Sequence, residues 1–176
     1  MQTTSNMIGT TVEFDVPQDI ATTYDWVVDR DTPIKMIHTT GPVPGFKNYK
    51  LLDGDWKHEG ARRRITLDDN STSTETIKTI QRPSYFDYEL TDFKDTSALL
   101  TLLLTRGYGQ WWFERTQDGG THIKWRYSFE PQNRWVSPLL WLFTNIAYHN
   151  FMQAAVQEMK RFSRDDGLRL TKLATQ

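Results

Sequence analysis

The chain contains no cysteine among its 176 residues. Disulfide bonds, thiolate nucleophiles and cysteine-bound zinc are therefore excluded. A chain without cysteine fits a reducing compartment, and the N-terminal segment lacks the basic region and apolar run of a secretion signal. We therefore expect a cytoplasmic protein.

Long hydrophobic runs are absent as well. The most apolar window, residues 137–152, is interrupted by Asn145, His149 and Asn150, whereas a spanning helix needs about 20 predominantly apolar residues. We predict no membrane span. The four histidines show no metal-ligand spacing, and no phosphate-binding glycine loop or serine elbow occurs, so we predict no metal and no cofactor.

An excess of positive charge is also missing, since 21 Lys and Arg stand against 22 Asp and Glu. Nucleic-acid-binding domains are usually basic, so the balance argues against such a partner. Aromatic residues, in contrast, make up 13% of the chain and include seven Trp. The length favours one domain, residues 1–176 with a core at about 12–163, in which large rings supply much of the apolar area.

The hydrophobic periodicity changes twice along the chain. Residues 10–16 alternate as a strand, and residues 20–28 and 33–37 have the spacing of two short helices. From residue 46 to 131 the period is two, broken by turn-forming residues. The predicted strands of this part are Phe46–Leu52, Ala61–Leu67, Thr72–Gln81, Tyr85–Thr91, Tyr108–Thr116 and Gly120–Glu130.

A long helix is predicted for the last third of the chain. Ser137 and Pro138 are typical of a helix start, and apolar residues then recur at helical spacing to about Asp165. Residues 97–105 fit either a helix or a strand, and we treat them as a connector. The order predicts an α+β domain, in which about seven antiparallel strands curve around the long helix and leave a pocket between them.

Residues 109–131 mix large rings with basic side chains, a composition found on single-stranded nucleic-acid platforms. Alternation across a strand separates them, because Trp125 and Tyr127 fall on one face and Lys124 and Arg126 on the other. We therefore predict a core wall with a charged outer face, and no nucleic-acid partner. Trp112 falls on the charged face, where it either lies flat under Lys124 or Arg126 or makes a homodimer contact.

Five motifs recur at the spacing of the predicted strands. They are Gly60-x-x-Arg63-x-Ile65-x-Leu67-Asp68, Glu75-x-Ile77, Phe86-x-Tyr88-x-Leu90, Gly109-x-Trp111-x-Phe113, and Gly120-Thr121-x-Ile123-x-Trp125-x-Tyr127-x-Phe129-x-Pro131. This pattern resembles the START-like (SRPBCC) superfamily, and within it the polyketide cyclase/dehydrase-like branch. The resemblance spans about residues 12–162.

The resemblance implies a helix-grip fold, in which a curved antiparallel sheet around a C-terminal helix encloses a hydrophobic ligand cavity. Members of the superfamily include lipid and hormone binders, aromatase/cyclases, chaperone activators and oxygenase subunits. The chain lacks the Cys/His iron–sulfur motif of the oxygenase relatives. It also has Asp69 where relatives often have glycine, which leaves the register of that hairpin open.

The register decides where a candidate charged pair lies. A three-residue turn would place Arg63 opposite Glu75 inside the sheet, and a two-residue turn would pair Arg64 with Glu75 outside. An inner Arg63 could bind a ligand oxygen or only neutralise Glu75. The predicted cavity residues are Arg63, Glu75, Tyr88, Trp111, Phe113, Trp125, Tyr127, Tyr148 and Met152.

Three functions remain open from the sequence. The first is binding of a small hydrophobic molecule, such as a lipid, a polyketide or an aromatic metabolite. The second is a cyclase/dehydratase-type enzyme, in which an arginine or tyrosine of the same cavity stabilises an enolate. The third is a protein-interaction module of the chaperone-activator type, which a filled cavity and a large exposed apolar patch would favour.

Overall fold

The computed structural model describes residues 7–174, with side chains for residues 7–97 and 100–164. Its seven strands form one antiparallel sheet in the order β1-β7-β6-β5-β4-β3-β2. All connections but one join neighbouring strands. The exception is the connection from β1 to β2, because β1 lies at one edge of the sheet, where it pairs with β7, and β2 lies at the other edge. The strands are β1 (Ile8–Val16), β2 (Phe46–Leu51), β3 (Arg62–Leu67), β4 (Thr72–Gln81), β5 (Tyr85–Lys94), β6 (Leu104–Arg115) and β7 (Thr121–Pro131).

Three short helices and one long helix accompany the sheet. The short ones are α1 (Ile20–Val28), α2 (Thr32–Met36) and α3 (Ala98–Leu103). The long one, called the C-terminal helix below, runs without a break through α4 (Ser137–Leu142), a π-helical turn (Phe143–Tyr148) and α5 (His149–Ala174). Among the described residues, no helix is long and apolar enough to cross a bilayer.

The predicted α+β architecture is confirmed, including the two short helices after the first strand. Apart from shifts of one to three residues in the bounds of other elements, three details differ from the prediction. The connector forms helix α3 and then joins β6, which begins at Leu104 and not at Tyr108. The long helix continues past Asp165 to Ala174. The π-helical turn inside it was not foreseen, because an apolar pattern does not reveal which carbonyl each backbone N–H bonds.

Apart from Trp112, the rings of residues 109–131 lie on the inner face of the sheet, opposite Lys124 and Arg126, as alternation predicts. In β7, Ile123, Trp125 and Tyr127 are buried, while Lys124 and Arg126 are exposed. The inner face packs against the C-terminal helix, whose Met152 and Met159 are almost fully buried. The core thus occupies the space between sheet and helix.

Trp112 lies on the outer face under a cation. Lys124 Nζ lies 5.9 Å from the centroid of the Trp112 ring, and the Tyr85 ring lies 5.4 Å away at a tilt. Of the two explanations that the sequence left open, the structure therefore shows the ring covered by a lysine of the neighbouring strand.

The β3–β4 hairpin settles the register that decides the position of Glu75. Leu67 N donates to the Ser71 carbonyl at 2.9 Å, so three residues form the turn. Asn70, the last of the three, has φ 66°, a left-handed conformation that asparagine tolerates better than most residues. Arg63 therefore lies directly opposite Glu75 on the inner face. The left-handed position is Asn70, not Asp69.

Candidate functional site

A cavity of about 420 Å³ lies between the concave face of the sheet and the C-terminal helix. Strands β2 to β7, helices α1 to α3 and the C-terminal helix all contribute side chains to its wall. Most of these side chains are apolar or aromatic. The volume falls in the range of about 300–1,000 Å³ that is typical of small-molecule sites.

Two glycines of β6 make room for tyrosine rings in the wall. A Cβ at Gly109 would lie 2.3 Å from the Tyr88 ring, and a Cβ at Gly107 would lie 3.3 Å from the Tyr127 ring. Tyr88 sits directly opposite Gly109 on the neighbouring strand, and its ring occupies the space that a Cβ at Gly109 would need. The glycines thus hold the tyrosines against the sheet and keep the space above them open.

Tyr88, Tyr127 and Tyr148 form an aromatic cluster in the middle of the cavity wall. The Tyr127 ring lies 4.7 Å from Tyr148 and 6.3 Å from Tyr88. Burial raises the pKa of all three hydroxyls well above the ordinary value of 10, and the negative charge of Glu75 contributes in the same direction. The three phenols are therefore neutral at physiological pH and can donate a hydrogen bond to an oxygen inside the cavity.

Arg63 and Glu75 form an ion pair at one end of the cavity. Arg63 Nε donates to Glu75 Oε2 at 2.5 Å, and the side chains are only 4% and 5% exposed. Arg63 Nη1 also donates to the carbonyl of Arg30 at 3.1 Å. Such a pair is stable away from water only when its remaining hydrogen-bonding groups find partners.

Aromatic rings surround the Arg63 guanidinium on its remaining sides. The carbon at its centre lies 4.1 Å from the ring centroid of Trp56, 5.3 Å from Phe46 and 5.6 Å from Tyr49. These cation–π contacts add to the ion pair and restrict the guanidinium to one position. Arg63 is therefore already held by a carboxylate, a carbonyl and three rings.

Two polar atoms of the cavity wall have no hydrogen-bond partner among the described residues. They are the indole Nε1 of Trp125 and the hydroxyl of Ser73, and both residues line the cavity while being at most 2% exposed. Buried polar groups in proteins nearly always have a partner. An unpaired donor in a cavity wall is therefore a position where a water molecule or a ligand atom fits.

Seven of the nine predicted cavity residues line the wall: Arg63, Glu75, Tyr88, Trp111, Trp125, Tyr127 and Tyr148. Phe113 and Met152 do not. The Phe113 ring packs edge-on against Tyr24 at 5.2 Å, and Met152 is fully buried in the core. Both are buried, but Tyr24 of helix α1 packs against Phe113 and Met152 lies within the core, so neither lines the cavity.

Apart from Tyr148, the lining residues outside the strands were not predicted from the sequence. Trp56 comes from the loop between β2 and β3, and Leu100 and Thr101 come from α3. Trp56 is the one large ring in an otherwise polar loop, and it is 4% exposed. A single large ring among polar residues was the feature of the sequence that could have predicted its burial in the cavity wall. Because the periodicity of residues 97–105 fits both a helix and a strand, it did not predict which side chains of α3 face the cavity.

The π-helical turn brings Phe143 and Tyr148 to the cavity wall. A π turn displaces side chains from the positions that a regular helix would give them, and such turns often occur at functional sites. Here the Asn145 side chain donates to the Trp141 carbonyl at 3.0 Å. This gives the carbonyl a hydrogen-bond partner where the backbone hydrogen-bond pattern of the helix changes. The π-helical turn therefore contributes two side chains to the cavity wall.

Solved structures with the same fold were found by comparison of the coordinates. Ara h 8.0201 is 15% identical, with 91% of this chain and 99% of that chain covered and a TM-score of 0.64. Major latex-like protein 151 from Panax ginseng is 11% identical, with coverages of 89% and 97% and a TM-score of 0.63. XoxI from Bacillus cereus is 13% identical, with coverages of 89% and 96% and a TM-score of 0.63.

Sequence comparisons add nothing to this likeness, since no protein-family model and no curated protein sequence matches the chain. Identities of 11–15% establish the fold alone. The predicted helix-grip fold, a curved antiparallel sheet around a long C-terminal helix, is confirmed. The polyketide cyclase/dehydrase-like branch stays a prediction.

Proposed function

We propose that the protein binds a small, neutral, mainly apolar molecule in the cavity between the sheet and the C-terminal helix. The observation that carries the proposal is a cavity of about 420 Å³ with an aromatic wall and unpaired polar atoms on Trp125 and Ser73. A ligand would bury its apolar surface against the rings, which is the main source of affinity for such sites.

The charges of the wall favour a neutral ligand over an anionic one. Arg63 is already neutralised by Glu75 at 2.5 Å and enclosed by Trp56. A ligand carboxylate at that end would compete with Glu75 and would bring an uncompensated charge into an apolar space. A hydroxyl or carbonyl oxygen, in contrast, could accept from Trp125 Nε1 or from a neutral tyrosine.

A cyclase-type reaction in the same cavity has less support. It would need a cation or an acid that is free to stabilise an enolate, and Arg63 is engaged by three sets of partners. The neutral phenols of Tyr88, Tyr127 and Tyr148 are poor proton donors because their pKa values are raised. They suit the orientation of a ligand better than proton transfer near neutral pH.

Binding can be tested with native mass spectrometry of the purified protein and with a neutral naphthylamine dye as a fluorescent probe. We expect a bound small molecule in the first experiment, or saturable dye binding in the second. Ser73→Leu places a larger side chain into the cavity and should weaken dye binding at least tenfold, while Thr76→Leu on the same strand, outside the cavity wall, should leave it unchanged.

The conservative variant Tyr127→Phe tests the polar part of the proposal. It removes one hydroxyl and keeps the ring, so it should weaken the binding only of ligands with a hydrogen-bond acceptor, by about fivefold to tenfold.

Folded Ser73→Leu protein that binds the dye as tightly as the unchanged chain would show that the dye does not occupy the cavity. Absence of any ligand and of any dye binding would refute the proposal.

A further inference from the structure

Most of the strongly exposed large apolar side chains lie in one region of the molecule. Six of the eight found among the described residues belong to α3, to the loop before α4, or to the first three turns of the C-terminal helix. They are Leu102, Trp135, Leu139, Trp141, Leu142 and Ile146, with exposures of 47% to 78%. We call these six residues the apolar patch.

The patch is formed by two packed elements. Residues 139, 142 and 146 repeat at intervals of three and four, which places them along one side of the C-terminal helix, and Trp135 comes from the loop just before that helix. Helix α3, which carries Leu102, packs against α4. Leu140 and Thr144, on the opposite side of the C-terminal helix, are fully buried and hold the exposed side in a defined orientation.

The patch adjoins the opening of the cavity. Of the residues that line the cavity, those that are also exposed to solvent are Asp92, Thr101, Thr105 and Gln132. Thr101 is next to Leu102 of the patch, and Gln132 comes three residues before Trp135. Phe143, which lines the cavity, directly follows Leu142. An apolar molecule entering or leaving by this route would pass along the patch.

The charge pattern around the patch fits a lipid surface. Between Pro131 and Gln157 the only Asp, Glu, Lys or Arg is Arg134, and residues 96–105 contain none. Both segments therefore lack carboxylates, which lipid headgroup phosphates would repel. The exposed carboxylate at the opening, Asp92, is paired with Arg64 at 2.7 Å and with Lys94 at 3.5 Å. The Arg134 guanidinium lies 4.5 Å from the Trp135 ring centroid, which combines an amphipathic ring with a cation as at membrane interfaces.

We propose that this patch docks the protein onto the surface of a lipid bilayer, with Trp135 and the leucines of α4 inserted at the level of the headgroups. An amphipathic helix that lies in the interface plane needs an apolar face, and Trp and Leu are typical of such faces. Docking here would place the cavity opening against the membrane, so that an apolar ligand could move between bilayer and cavity without crossing water.

The second half of this inference rests on the proposed function, whereas docking itself does not require a ligand. The two are therefore tested separately. Dye binding by the free protein tests the cavity, and vesicle binding without dye tests the patch. A protein that binds the dye but not vesicles would overturn the docking proposal alone, and the reverse result would overturn the cavity proposal alone.

The docking test uses flotation with vesicles of phosphatidylcholine, alone or mixed with phosphatidylglycerol. We expect the protein to float with both kinds. The anionic lipid should strengthen binding by no more than about fivefold, the effect of the single arginine. The double variant Trp135→Ser, Leu139→Ser should lower the partition coefficient at least tenfold. The matched control Ile34→Ser, Leu52→Ser changes two exposed apolar residues elsewhere and should bind as before.

A second measurement locates the inserted ring. Acyl chains that carry a bromine quencher should reduce the tryptophan emission of the unchanged protein. The conservative double variant Trp135→Phe, Trp141→Phe, which changes both tryptophans of the patch, should lose most of this quenching while still floating. Failure to float with either vesicle type would overturn the proposal. So would light scattering that shows a dimer in solution which the Trp135→Ser, Leu139→Ser variant dissociates, since the patch would then be an interface between two copies.

Discussion

At the scale of single residues, Arg63 and Glu75 carry the largest electrostatic consequence of the fold. The pair is almost completely removed from water, so loss of one partner leaves a buried charge without compensation. We expect Arg63→Met to lower the free energy of unfolding by about 3–5 kcal/mol. Chemical denaturation monitored by circular dichroism measures the change.

The neighbouring residue provides the control for this prediction. Arg62 pairs with Asp53 at 2.8 Å, but the Arg62 side chain is 53% exposed, and exposed pairs contribute at most about 1 kcal/mol. Arg62→Met should therefore have little effect. The double variant Arg63→Met, Glu75→Leu should recover part of the lost stability. If Arg62→Met and Arg63→Met lowered the free energy of unfolding equally, burial of the Arg63–Glu75 pair would not explain the effect.

Gly109 permits the close approach of the Tyr88 ring. The Cβ of Gly109→Ala would lie 2.3 Å from that ring, so the ring must move and disturb the packed wall. We expect a loss of about 2–3 kcal/mol for Gly109→Ala, since overpacking costs about that much. Gly107→Ala, where the nearest atom lies at 3.3 Å, should cost less. Thermal unfolding of both variants ranks them, and the opposite order would refute the explanation.

At the scale of secondary-structure elements, the β3–β4 turn determines which side chains face the cavity. Asn70 has φ 66°, which a β-branched residue adopts only at a cost of about 1–2 kcal/mol. Asn70→Val should therefore destabilise the protein by that amount, while Asn70→Gly should stay within about 0.5 kcal/mol of the unchanged chain. Urea denaturation measures both.

A side-chain contact at Asn70 needs its own control. Asn70 Oδ1 accepts from Lys47 Nζ at 2.8 Å, and both variants remove this exposed bond. Lys47→Met removes it without changing the turn, and its effect should be small. If Lys47→Met lowers the free energy of unfolding as much as Asn70→Val does, the hydrogen bond to Lys47, and not the left-handed backbone conformation, explains the effect of Asn70.

The elements of regular period were predictable from the sequence, because burial on one face imposes period two on strands and about 3.6 on helices. The position of Glu75 could not be decided in that way. It depends on the length of one turn, and both lengths kept Arg63, Ile65 and Leu67 on the inner face. The lining by α3 and the π-helical turn were also beyond the pattern, because both depend on tertiary packing and backbone hydrogen bonding.

At the scale of the whole molecule, the burial of tyrosine has a consequence for alkaline stability. All seven tyrosines have a pKa raised above 10, and burial is the first cause in each case. The pKa reaches about 12 for Tyr24 and Tyr85. A group whose pKa is raised by folding contributes full stability below its unfolded pKa, and this contribution is lost as the pH rises through the folded value.

Stability should therefore fall between about pH 10 and pH 12, the window set by these shifts. Tyrosinate absorbance should rise together with loss of the circular dichroism signal, because phenols ionise as the fold opens. Parallel titrations of absorbance and dichroism, with a denatured sample as reference, check this. Several tyrosines that ionise near pH 10 in a protein with unchanged dichroism would contradict it.

The pairing of β1 with β7 also affects how the chain reaches its fold. Ile8 pairs with Phe129 and Val16 with Thr121, whereas the connections from β2 to β7 join strands that are neighbours in the sheet. On the ribosome, the first strand is made early but has no partner until β7 has emerged. Contacts between distant parts of a chain form slowly, so we expect pulsed hydrogen exchange during refolding to protect the amides of β1 last.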